Sequence, residues 1–166
     1  MSAPYAPAGT YTDSSIIATT SAGGGVKALN FALAISKSCS VSTSSLNFGT
    51  LALNATSLQT NLTTASTTVS VRCINATGYT VGLDGGTGSG ATTTTRVMSN
   101  AAAGINYQLW RDSARTLNWG NTVGTNTQAG TGTGSTQNMT IYGSIAAGQA
   151  AVPGTYNDTI NVILTY

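Results

Sequence analysis

VKALNFALAISKS, residues 26–38, sets Leu29, Phe31, Leu33 and Ile35 on one side of an extended chain and Asn30, Ala32, Ala34 and Ser36 on the other. A period of two is the mark of a strand with one apolar face. The SAGGG run at residues 21–25 precedes it and predicts a flexible linker. Two uses fit such an element. It is either the first strand of its own sandwich or a donor strand, one that completes the sheet of another domain or subunit.

Working outward, the chain continues in short alternating runs separated by Gly, Thr, Ser and Asn. Residues 46–53 (LNFGTLAL) alternate around a glycine and predict a strand. Residues 67–74 (TTVSVRCI) put Val69, Val71 and Cys73 on one face, with Ser70 and Arg72 on the other. Tyr79, Val81 and Leu83 form another run, closed by the turn-rich DGGTGSG at residues 84–90. Ile105, Tyr107 and Leu109 point one way and Trp110 the other, and residues 138–145 and 157–166 complete the set. In the last of these Ile160, Val162, Leu164 and Tyr166 alternate. No segment of useful length shows a helical period. Seven or so short strands at this spacing predict an all-β, immunoglobulin-like antiparallel sandwich.

Composition narrows the function. The 166 residues suffice for one main domain plus an arm. Charged residues are 6% of the chain and the net charge is +2, against a usual charged share of about a quarter. That is too weak for nucleic-acid steering, so no nucleic-acid partner is expected. No apolar run reaches a membrane-spanning length, so no membrane insertion is expected either. His and Glu are absent and the four acids are all Asp, none beside another. General acid–base chemistry at neutral pH leans on His and Glu, and zinc sites on His and Cys. The expectation is a protein that is not an enzyme, with no catalytic residues, metal site or cofactor.

Cys39 and Cys73 fit neither a CxxC redox motif nor a zinc knuckle. In a Thr-rich chain of this kind an even count reads as one disulfide, the alternative being two buried free thiols. Met1 is followed by SAPYAPAG, with neither a basic nor an apolar leader region, so a leader was removed or the chain is a fragment. The glycine-rich stretches at residues 85–90 and 130–134 lack the lysine and following helix of a phosphate cradle and read as loops. Trp110 and Trp119, with Arg111 and Asp112 alongside, admit a sugar-stacking role, but sandwich packing and a weak surface ion pair are the simpler account.

From Cys39 to the end, about three quarters of its length, the chain resembles the spore coat protein U domain family, the fold of archaic chaperone–usher pilus subunits of the Csu type. An ordered series carries the resemblance: Cys39-Ser-Val41, Leu46-Asn-Phe48-Gly49 and Val69-Ser-Val71-Arg72-Cys73. It continues through Tyr79 to Gly86, Arg96-Val-Met98, Tyr107-Gln-Leu109 with Arg111-Asp112, Trp119-Gly120 and Ile141-Tyr142-Gly143, and closes on Pro153-Gly-Thr-Tyr156-Asn-Asp158 and the alternating C-terminal run.

The resemblance implies an incomplete sandwich that lacks one edge strand and exposes an apolar groove. A periplasmic chaperone fills the groove first. The N-terminal strand of the next pilin subunit then replaces it at the outer-membrane usher, a case of strand addition. On this view Leu29, Phe31, Leu33 and Ile35 form the donor-strand interface, and Ile160, Val162, Leu164 and Tyr166 lie on the acceptor's last strand. Burying the four donor side chains would contribute roughly 6–12 kcal/mol as an upper bound. The function implied is a structural subunit of a secreted surface fibre, exported through the periplasm of a Gram-negative cell and supporting adhesion and biofilm formation. A tip adhesin domain, or a coat protein that assembles without an usher, is the alternative.

The N-terminus departs from a simple subunit. Gly9, Thr10, Tyr11 and Asp13 repeat Gly154, Thr155, Tyr156 and Asp158 at the same spacing. Residues 1–20 are therefore expected to be an arm holding the last strand of a preceding domain, followed by the linker 21–25, the donor strand 26–38 and the pilin domain 39–166. Strand 26–37 would either fold back on residues 8–19 as a hairpin or drop into the groove against residues 157–166.

Overall fold

The computed structural model describes residues 8–13, 17–18, 27–28, 31–54, 57–58 and 62–166. These residues form fourteen strands and no helix. The N-terminal part holds β1 (Gly9–Asp13), β2 (Ile17–Ala18), β3 (Lys27–Ala28), β4 (Phe31–Ile35) and β5 (Cys39–Thr43). Next come β6 (Leu53–Asn54), β7 (Ser57–Leu58), β8 (Thr63–Cys73), β9 (Gly78–Leu83) and β10 (Arg96–Ser99). The last four are β11 (Gly104–Trp110), β12 (Gln128–Thr131), β13 (Gln137–Ile145) and β14 (Val162–Thr165).

Two antiparallel sheets make the sandwich, one ordered β10-β11-β13-β8-β5 and the other β12-β9-β14. Their shared core follows from the alternation in the sequence. Val69, Val71 and Cys73 from β8, Tyr79, Val81 and Leu83 from β9, and Ile105, Tyr107 and Leu109 from β11 are all buried, while Arg72 between them is exposed. Side chains two apart share a face of a strand, so each run delivers its apolar members to one interface. Trp119 sits at 1% exposure and donates its Nε1–H to the Val81 carbonyl at 2.9 Å. It belongs to the core rather than to a sugar platform. Trp110 is half-buried, its Nε1–H on Ser144 Oγ at 2.9 Å.

Cys39 and Cys73 stand directly opposite each other in the β5–β8 ladder and are joined by a disulfide. The bond ties the first strand of the sandwich to its longest strand across 34 positions. Replacing both cysteines by serine should cost about 3.5–4 kcal/mol of stability by freeing that loop in the unfolded chain. Urea unfolding of the double variant against the oxidised parent measures it, and a loss under about 1 kcal/mol would contradict the loop-entropy account.

Four sequence expectations need correction. Of residues 157–166 only Val162–Thr165 is strand, because Asn157 is tied to Ser99 and the Asn161 N–H to the Asp84 carboxylate before the chain joins β9. Residues 46–52 are not a strand: Asn47 Oδ1 accepts the Gly49 N–H at 2.7 Å and Gly49 takes a φ of +77°, which turns the chain out of any extended path. Gly130 and Thr131 are not loop but part of β12, paired with Tyr79 and Gly78. A Cβ at Gly130 would strike the Tyr79 ring, so glycine here lets the ring lie across the neighbouring strand. Arg111 and Asp112 do not pair. Asp112 accepts the backbone N–H groups of Thr116 and Leu117, and Arg111 Nη1 donates to the Thr127 carbonyl at 2.9 Å.

Candidate functional site: an open cleft over the core

Between the two sheets lies a cleft of about 1080 Å³. Its floor is the core itself: Leu83, Met98, Ile105, Tyr107, Leu109, Ile141 and Ile145. One rim is residues 43–51 and the other is residues 151–160 with Val162. Leu46 and Phe48 pack down over Gly143, where a Cβ would collide with both. Phe48 also meets the Tyr107 ring edge-on, with centroids 6.1 Å apart. Among the described residues that line the cleft, Asp158 alone carries charge. Such a lining, apolar at the floor and polar but almost uncharged along the rims, suits an uncharged segment with one apolar face.

The C-terminal rim presents an unpaired backbone edge. Asp84 N–H donates to the Asn161 carbonyl, and the β9–β14 register sets Val162 opposite Leu83 and Leu164 opposite Val81. Bonded pairs in an antiparallel ladder alternate, so Val162 and Leu164 aim their N–H and C=O groups away from β9. Leu83 and Val81 agree with this, since the Leu83 N–H is bonded to the Gly120 carbonyl and the Val81 carbonyl to Trp119. Further up the rim Asn157 exchanges both backbone bonds with Ser99, which turns the N–H and C=O groups of Tyr156 and Asp158 to the opposite side. The result is a sheet edge running along an uncovered core. Left bare, such an edge is a site of strand addition or aggregation.

Polar groups fix this rim in place. Tyr107 donates its hydroxyl to Asp158 Oδ2 at 2.7 Å, and Asp158 Oδ1 accepts the N–H and hydroxyl of Thr87. Asp84 holds Asn161 through both carboxylate oxygens. Gly86 has a φ of +83°, and a Cβ there would overlap the Asp158 carboxylate. Below them Arg96 is fully buried, donating Nε to Asp84 O, Nη1 to Thr93 O, and Nη2 to both Leu83 O and Trp119 O at 2.7–3.1 Å. Burial lowers the guanidinium's affinity for its proton, and the nearby Tyr107, Asp84 and Asp158 work against that shift. The sequence offers only the short runs Arg96-Val-Met98 and Tyr107-Gln-Leu109 here, and nothing in it marks Arg96 as a buried cation.

Burial raises the Tyr107 phenol well above its ordinary range, and the Asp158 hydrogen bond and charge add to the shift. The folded state thus keeps this proton to higher pH than the unfolded chain does. The associated stability is whole below about pH 10, the ordinary phenol value, and is lost as pH rises beyond it. The urea midpoint should fall steeply from about pH 10 upward, and Tyr107→Phe should flatten that fall. Tyr79, also raised by burial, leaves a residual slope in the variant. An unchanged alkaline slope in Tyr107→Phe would count against this linkage.

The other residues singled out in the sequence are placed as follows. Ile160, Val162 and Leu164 are half-buried against the core, and Tyr166 is exposed past the end of β14. Leu29 lies outside the described residues, as do residues 21–25. β4 pairs antiparallel with β1, from Gly9 opposite Ile35 to Asp13 opposite Phe31, and β3 pairs with β2. Among the described residues β4 pairs with β1 and does not line the cleft. Phe31 is 49% and Leu33 60% exposed. Among the described residues, an exposed apolar strand face and an apolar cleft that no strand fills occur in one molecule.

Comparison with known proteins accords with this geometry. The model of the Spore Coat Protein U domain family matches residues 26–163, which includes β3 and β4 and leaves out β1 and β2. Protein U of Myxococcus xanthus is 38% identical over 87 residues, covering 51% of this chain and 48% of that protein. The fold is similar, with a TM-score of 0.58 and 21% identity, to a chain in the CsuC–CsuE chaperone–tip adhesion subunit pre-assembly complex from archaic chaperone–usher Csu pili of Acinetobacter baumannii. That match covers 87% of this chain and 44% of the other. The chain spans about half the length of the relatives it matches.

Proposed function

The chain belongs to the Spore Coat Protein U domain family, and from that membership we propose that it is a structural subunit of a secreted surface fibre of the archaic chaperone–usher type. The observation that carries the proposal is the pairing of an unpaired sheet edge over an open apolar cleft with an exposed apolar strand. The strand of one copy fills the cleft of the next, with backbone bonds giving strength and alternate side chains giving fit. The partners are neighbouring subunits, a periplasmic chaperone that covers the cleft first, and an outer-membrane usher. The role is mechanical rather than catalytic, in adhesion and biofilm at the cell surface.

The repeat of Gly-Thr-Tyr-x-Asp supports a two-domain parent in which residues 1–20 end an upstream domain and strand 26–38 completes it. A place at the fibre tip is the second reading, favoured by the likeness to the tip-adhesion complex.

Co-expression with a cognate chaperone, followed by non-reducing electrophoresis without boiling, tests the proposal. A ladder of heat-labile multimers is expected, and Phe31→Asp with Leu33→Asp should abolish it while leaving the monomer folded. Strict monomers from the unaltered chain, or an undiminished ladder from the variant, would overturn donor-strand assembly.

A further inference from the structure

The N-terminal hairpin specifies how the donor strand sits in the cleft. β1 and β2 carry the first copy of a repeat whose second copy, 145 positions on, is the cleft rim and β14 (Gly154 − Gly9 = 145). β4 pairs with the first copy with Ile35 opposite Gly9, Leu33 opposite Tyr11 and Phe31 opposite Asp13, and β3 pairs with it one position out of step from β4, with Ala28 opposite Ile17. We infer that the β3–β4 strand of a second copy of this chain docks antiparallel on the C-terminal rim in the same register. Ile35, Leu33 and Phe31 then oppose Gly154, Tyr156 and Asp158, and Ala28 opposes Val162. The inference rests on the donor-strand reading above and adds the register to it.

Two independent features of the rim agree with that alignment. Tyr156 and Asp158 turn their free N–H and C=O groups away from Ser99, and Val162 turns its own away from β9. In the transferred register these are the residues that oppose Leu33, Phe31 and Ala28, so each finds a bonded partner. The side chains of Tyr156, Ile160 and Val162 pack on the core. Directly opposed residues share a face, so Phe31, Leu33 and Ile35 enter the cleft and Ala32 and Ala34 stay outside. A slip of one residue would reverse this and bury the two alanines instead.

Cysteine pairs read the register. Asn157 spends its backbone bonds on Ser99 and therefore forms a non-bonded pair with Ala32 of the docked strand, the closer of the two pair types. One copy carrying Ala32→Cys is co-expressed with a second, size-tagged copy carrying Asn157→Cys, and peptide mapping identifies the joined residues. The in-register pair should cross-link about tenfold more than Ala34→Cys with Asn157→Cys, whose Cα atoms fall beyond disulfide reach. Ala34→Cys with Thr155→Cys is a second in-register pair, should the first disturb folding. All these positions are exposed. Multimers that cross-link equally well or better through the Ala34–Asn157 pair would overturn the register while leaving donor-strand assembly standing. Absence of multimers from the unaltered chain would overturn both.

Discussion

Replacing Arg96 by methionine is expected to be strongly destabilising and to lower the urea midpoint steeply. The guanidinium is fully buried and is the hydrogen-bond partner of four main-chain carbonyls, those of Leu83, Asp84, Thr93 and Trp119. Methionine fills much of the volume but donates nothing. Each abandoned buried carbonyl costs about 1–3 kcal/mol, and relief of the cation's own desolvation offsets part of the sum. A net loss of about 4 kcal/mol or more is expected, against the 5–15 kcal/mol that holds a typical domain. Lysine should not rescue, because one ammonium cannot span the fork of carbonyls that a planar guanidinium reaches. Circular dichroism and urea titration of both variants measure the loss. An Arg96→Met protein that keeps its midpoint within about 1 kcal/mol of the parent would show that the carbonyls find other partners.

That residue also marks where the sequence stops being legible. Alternation placed Val69, Val71, Tyr79, Val81, Ile105 and Leu109 in the core correctly, because a strand's side-chain period depends only on local geometry. The cysteine pair followed from count and composition and is a disulfide across one ladder. What failed were features that alternation does not encode, whether a local turn or partners distant in sequence. Residues 46–53 alternate like a strand, yet a side-chain turn at Asn47 and the left-handed Gly49 bend them into a rim. Arg96 sits in a short run, Arg-Val-Met, that looks like any edge strand, and its four partners come from three separate loops and strands. The repeated Gly-Thr-Tyr-x-Asp was visible from the start, but its two copies take different structures. The first is strand β1, while the second is irregular rim that joins β10 through one bridge. Local sequence is the same; the available partner differs.

The difference between those copies leads to the last expected result. Appending residues 22–38 after Tyr166 should give a chain that fills its own cleft. By the repeat offset, Tyr166 occupies the place of Ser21 (166 − 145 = 21), so the appended segment leaves β14 as residues 22–38 leave β2. The added strand would run back antiparallel along β14 and the rim, as β3 and β4 run along β2 and β1. Side chains of Phe31, Leu33 and Ile35 type contribute about 1.5–3 kcal/mol each when buried, and the free edge of Tyr156, Asp158, Val162 and Leu164 gains its missing bonds. Ordering the linker and strand offsets part of this. A net gain of about 4 kcal/mol raises the melting temperature by about 10 °C or more in a domain of this size. The same chain should form no heat-labile multimers, because its acceptor edge is already paired. Calorimetry and unboiled electrophoresis read the two effects separately. A higher melting point with multimers retained would place the bound strand somewhere other than the assembly site. An unchanged melting point with multimers lost would mean that the tail obstructs the cleft without completing the sheet.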